Sequence, residues 1–254
     1  MGIREFFSGI ASGIKSCVSA IGSVVSSAIS ICSSELGSAV RVLGSAIIKK
    51  VPCIGEVIEA IGVGIQIVGE ICKILKHGES VQEIGDRALQ AEEREGITLT
   101  SCNNDFAEEC WLADNDFDAY MEKLRSIKLD PKKSAKLSES DKLLAGSLVV
   151  EKGIELKRPQ LSMAAMWPFI VAAPDFFSPE RLNCYINEAM AQKQPLGKII
   201  EFFDPANNTI SREASRLVRT AEKKMTPQAT PDEITSTLNE VRKKCARPAE
   251  EEQE

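Results

Sequence analysis

Apolar side chains recur at helical spacing from the start of the chain: Ile3, Phe6, Ile10, Ile14, Cys17, Ile21, Val25, Ala28 and Ile31. The face opposite this stripe carries Ser8, Ser12, Ser16, Ser19, Ser23, Ser26, Ser27 and Ser30, with Lys15 as the only charge after Glu5. Surface helices normally place Lys and Glu there. Serine can bond back to its own helix, so such a face enters a lipid or protein interior at modest cost. A second helix is predicted from about Glu35, capped by Ser33 or Ser34. It holds two near-copies seven residues apart, Leu36–Val40 and Leu43–Ile47, which fall on one face. Lys49, Lys50 and Pro52 end it. A third helix is predicted over 54–76, with Val57, Ile58, Ile61, Ile65, Val68, Ile71 and Leu75 among its apolar positions and Gly78 as its stop.

Beyond Ser80 the texture changes. A charged helix is predicted over 81–95 and another over 104–127, followed by a turn at Asp130-Pro131 and a helix over 139–156. Residues 161–172 are the most apolar stretch of this half and its expected core. Ser178-Pro179-Glu180 reads as a cap followed by a proline in the first turn, opening a helix to about Gln192. Helices over 195–203 and 209–225 follow, and Thr230 with Glu233 forms a capping box that opens a last helix to about Lys244. No strand alternation is found. The expected fold is all-α: a three-helix apolar head at 1–78, a linker with a charged helix at 79–103, an acidic helical body at 104–247 and an acidic tail at 248–254.

Composition sharpens the division. Eleven of the 16 glycines precede Ser80, while only two aromatics, Phe6 and Phe7, do. Residues 1–80 carry a net charge of +1 and the remainder −7, so neither half resembles a nucleic-acid surface. The eight cysteines form no CxxC, and four fall in apolar helical pattern, which suits a reducing origin. The start, with Arg4 beside Glu5, is a poor secretory signal, and Phe6 stands where a myristoylation signal needs Ser or Thr. The chain is therefore expected to be made in the cytoplasm.

Candidate chemistry is sparse. Asp114-Asn115-Asp116-Phe117-Asp118 opens like a calcium loop, but Ala119 replaces the required Gly and Arg125 the closing Glu. His77 is the single histidine and sits near a helix end, where a cation is favoured. The pairs Glu108/Glu109 and Asp114/Asp118 could serve acid–base work, as could those of almost any acidic helix. No nucleotide, hydrolase or zinc motif occurs. The reading is non-enzymatic, with no cofactor and no metal.

Residues 16–34 form an uncharged run near the length that spans a bilayer, although serine makes it a marginal span. In the third helix Glu56, Glu59 and Glu70 weigh against a lone span, but would line a pore if the helices assembled. Gly9, Gly13, Gly22, Gly37, Gly44, Gly55, Gly62 and Gly69, interleaved with Ser, Ala, Ile and Val, make the head resemble the glycine-zipper segments of bacterial membrane-targeting toxins and secreted effectors. That resemblance covers residues 1–78 and implies a protein stored in soluble form that inserts into, or binds, a bilayer through its head. The expected partners are lipid, a chaperone, immunity or secretion component, and further copies of the chain on the membrane. The alternative is a non-enzymatic interaction protein that docks through the head.

Overall fold

The computed structural model describes residues 17–51, 54–104, 113–207 and 209–246. Among the described residues the chain is all helical, with thirteen α-helices and no strand. In chain order these are α1 (Cys17–Ile31), α2 (Leu36–Ile48), α3 (Ile54–Ile71), α4 (Val81–Glu95), α5 (Leu99–Asn104), α6 (Ala113–Ser126) and α7 (Pro131–Ser134). They continue with α8 (Glu139–Lys157), α9 (Trp167–Ala172), α10 (Pro179–Ala191), α11 (Gly197–Phe203), α12 (Arg212–Met225) and α13 (Pro231–Ala246). Two 3-10 turns, Pro159–Leu161 and Ala164–Met166, lie between α8 and α9.

The hub is α8, which packs on α2, α3, α4 and α6. Because it has neighbours on most sides, it buries Leu144, Ala145, Leu148, Val149, Val150 and Ile154 rather than a single stripe. Its tightest partner is α4. A Cβ added to Gly85 would lie 1.8 Å from the Lys142 carbonyl oxygen, and one added to Gly146 would lie 1.8 Å from that of Val81. Only glycine allows backbones to approach so closely. The segment read as a linker with a charged helix thus contains α4, whose Val81, Ile84, Ala88 and Ala91 belong to the main core.

The N-terminal helices share that core. α1 lies on α2 and α9, α2 also on α8, and α3 between α8 and α10. One continuous cluster of buried apolar residues runs from Ile21 to Cys245. α12 packs on α10 and α11, and α13 returns to α1. Phe176, Phe177, Phe202 and Phe203 meet mostly edge to face, with centroids 5.0–5.8 Å apart, and fasten α11 beside the 173–177 turn.

Local chemistry sets most helix starts. Ser80, Ser138, Ser178 and Ser211 each accept a backbone N–H three residues on. At α13 the Thr230 hydroxyl accepts from Glu233 N–H while the Glu233 carboxylate accepts from Thr230 N–H. Two expected ends differ from the structure. No serine caps α2: the Ser34 hydroxyl donates to Ile31 O, and Gly37 N–H is taken by the distant Glu92 carboxylate at 2.8 Å. α3 stops at Ile71, five residues early. Lys73 turns left-handed (φ 59°), and Ile74 and Leu75 N–H both return to Gly69 O. That turn places Ile74 and Leu75 in the core. His77 consequently lies in an exposed turn, away from any helix end. α5 was not expected, and α6 was expected to begin at 104. The Glu108/Glu109 pair lies outside the described residues.

Candidate functional site: the seam between the N-terminal helices and the body

α3 meets the body along a row of small residues. Cβ atoms added at Gly62, Gly64 and Gly69 would lie 2.6 Å from Leu143, 2.7 Å from Met163 and 2.8 Å from Val150. Each glycine therefore makes room for a large side chain of the body. Of these three, Gly62 and Gly69 were predicted and Gly64 was not; the remaining predicted glycines are placed differently. Gly22 makes ordinary contact with Pro168, Gly44 only borders Leu144, and Gly55 is exposed with nothing near it among the described residues. Gly37 lies against Glu92. Gly9 and Gly13 lie outside the described residues. The closest glycine contacts of all, at Gly85, Gly146 and Gly153, were missed. The triplet Ala145-Gly146-Ser147, interrupting an apolar run, was the available signal for one of them.

The three glutamates of α3 point away from this seam. Glu56, Glu59 and Glu70 are exposed, and Glu70 accepts from Gln66 at 2.6 Å. Gln66 in turn accepts from Val81 N–H at 2.8 Å and donates to Glu79 O, which ties α3 to the start of α4. The outer face of α1 is serine, with Ser19, Ser26 and Ser30 exposed. Among the described residues no helix is long and apolar enough to cross a membrane.

The seam is latched by Glu151, a fully buried carboxyl group on α8. It accepts from Met163 N–H at 3.1 Å, from Ala164 N–H at 3.1 Å and from the Ser162 hydroxyl. Met163 is the residue seated on Gly64 of α3. One carboxyl group therefore holds the turn that presses on the glycine row. Burial pushes its pKa up to about 7, and the three donated hydrogen bonds limit that rise. Sequence reasoning missed Glu151, because a single Glu in a charged helix gives no sign that its position is buried.

Two more buried polar clusters hold the body together. Asp86 accepts from Gln90 at 2.8 Å and from Ser134 at 2.6 Å, with Lys142 3.9 Å away; this fixes α7 to α4 and α8. Glu222 accepts from Arg181 at 2.8 Å and from Tyr185 at 2.7 Å, joining α10 to α12. Burial, with the Glu222 charge beside it, holds the Tyr185 phenol well above its usual pKa. Burial also pushes the Cys32 thiol up to about 12 and raises Cys72 and Cys184, which leaves little thiolate for nucleophilic chemistry. Among the described residues no group of His, Cys, Asp and Glu is arranged to hold a metal ion. Asp118 pairs with Lys157.

Among the described residues, open grooves include two of similar size. One, of about 500 Å³, mixes Arg41, Lys133 and Lys136 with Glu35, Glu92 and Glu93. The other, of about 480 Å³, runs along α12 and is lined by Arg216, Arg219, Thr220, Lys223 and Lys224. Compared with protein-family models, curated proteins and solved structures, the chain matches none.

Proposed function

We propose that this chain is a non-enzymatic effector that stores an apolar, small-residue helical segment against its own body and transfers it to a bilayer. The observation that carries the reading is the seam at α3. A helix of nearly continuous Ile, Val, Ala and Gly is held by glycine-seated contacts and one latched turn, while its free side is glutamate. The serine face of α1 adds support, since it carries no charge that would resist the headgroup region. The glutamates of α3 favour a helix that lies in the interface, or spans only as part of an assembly, over a single crossing helix. In the stored form the stripes face Leu143, Val150 and Met163; in the transferred form they face lipid. Glu56, Glu59 and Glu70 would stay with water or line a cation-favouring pore.

A second reading has its own support. The core passes without a break between the first three helices and the rest, as in a protein that uses those helices only to fold. Such a protein would be an adaptor or binding partner. The two separate on dye and potassium release from anionic liposomes, with the protein tested at pH 7 and pH 5. The effector reading expects release that falls when Gly55→Ala stiffens α3 and raises the fold's stability. Neither release nor co-flotation would leave the adaptor reading in place.

A further inference from the structure

We propose that the groove on α12 is a binding site for a compact, multiply phosphorylated group. Arg212, Arg216, Arg219 and Lys223 follow one another at three- and four-residue steps, so they share one face of the helix. Arg216, Arg219 and Lys223 are exposed, and none forms an ion pair among the described residues. Each is instead held by neutral acceptors. Arg216 donates to Gln192 at 3.2 Å. Arg219 donates to Thr235 at 2.7 Å and Ser215 at 3.3 Å. Lys223 donates to Pro227 O and Ala229 O, both at 2.8 Å. Neutral partners fix the direction of a cation without cancelling its charge, and both guanidinium groups keep unused N–H donors. Lys224, which also lines the groove, pairs with Glu188, so the excess positive charge there comes from Arg216, Arg219 and Lys223, which have no carboxylate partner among the described residues.

The dimensions select the ligand. Residues 216–223 extend roughly 10 Å along the helix, which matches two or three neighbouring phosphates. The groove of about 480 Å³ has Thr220 among its lining residues as a further hydroxyl. No aromatic residue lies in α12 to stack a base, and the acidic remainder of the surface repels a long polyanion. A phosphorylated lipid headgroup and a free polyphosphate share this chemistry. The inference rests on α12 alone and holds whether or not the N-terminal helices leave the core.

The test is calorimetric titration of the full chain with inorganic pyrophosphate, together with flotation on phosphatidylcholine vesicles with and without phosphatidylinositol bisphosphate. The variant is Arg216→Gln with Arg219→Gln and Lys223→Gln; the control is Lys123→Gln with Lys128→Gln, at exposed lysines elsewhere. Circular dichroism melts check that both still fold. Binding that falls tenfold or more in the triple variant and not in the control supports the site. Pyrophosphate as the sole ligand assigns it to a free phosphate, and vesicles alone assign it to a headgroup. No binding to either probe overturns the proposal. So does equal loss in the control, or tighter triple-variant-sensitive binding to a single-stranded oligonucleotide.

Discussion

At the scale of single residues, Glu151 is the position where pH and structure meet. Its folded pKa, about 7, lies above its ordinary value of 4.5, so between those values the folded chain holds the extra proton. Stability from this group is full below about pH 4.5 and is lost as pH rises through 7. The shift amounts to on the order of 3 kcal/mol. Glu79, Glu188 and Glu201 act in the opposite direction. Donors from Arg125, Gln192 and Lys198 respectively hold their carboxyl pKa values below the usual range, Glu201 down to about 2. Their contribution is present above the ordinary carboxylate range and is lost as pH falls through the lowered values. We therefore expect the melting temperature to fall from pH 5 to pH 8 and again below about pH 4. Glu151→Gln should flatten the upper limb and leave the lower one; an unchanged upper limb would remove Glu151 as its cause. Trp167 carries a cost of its own: its indole N–H is buried without a partner among the described residues.

At the scale of elements, glycines differ in what a side chain would meet. The α4–α8 crossing has no space for a Cβ at either Gly85 or Gly146. We expect Gly146→Ala to destabilise the chain by roughly 3 kcal/mol or more, since backbone rather than a flexible side chain must move. Gly55→Ala, in a helix with open space around it, should stabilise by about 0.5–1 kcal/mol. Urea melts of the two variants measure both, and similar effects would refute the distinction. At the start of α2, Glu92→Ala removes the carboxylate that accepts Gly37 N–H; a loss of about 1 kcal/mol is expected in the same assay. These elements also mark what was legible in the sequence. Caps at Ser80, Ser138, Ser178, Ser211 and Thr230 are local, so the helices they open were readable within a few residues. The end of α3 and the cap of α2 depend on Leu75 entering the core and on Glu92 arriving from another helix, and no local pattern encodes either. For the same reason Gly62 and Gly69 were picked out from spacing, while Gly85, Gly146 and Glu151 were passed over: their role comes from what crosses them.

At the scale of the whole molecule, a head and a body that differ sharply in composition are packed into one core, with α8 in contact with both. Composition shows where the texture changes but not whether the two parts touch, because burial is a property of the partner as much as of the segment. The stored-helix proposal therefore makes a demand on the intact chain: α3 must be protected in solution and lose its contacts at a bilayer, while α4 and α8 stay paired. The glycine crossing at Gly85 and Gly146 gives that pair contacts of its own, independent of α3. Hydrogen exchange of the full-length protein, with and without anionic vesicles, reads this directly. The account predicts that vesicles change the exchange of amides 57–69 and of the 162–164 turn together, with α4 and α8 unchanged. Identical protection of α3 with and without vesicles, under conditions where the protein is vesicle-bound, would contradict it.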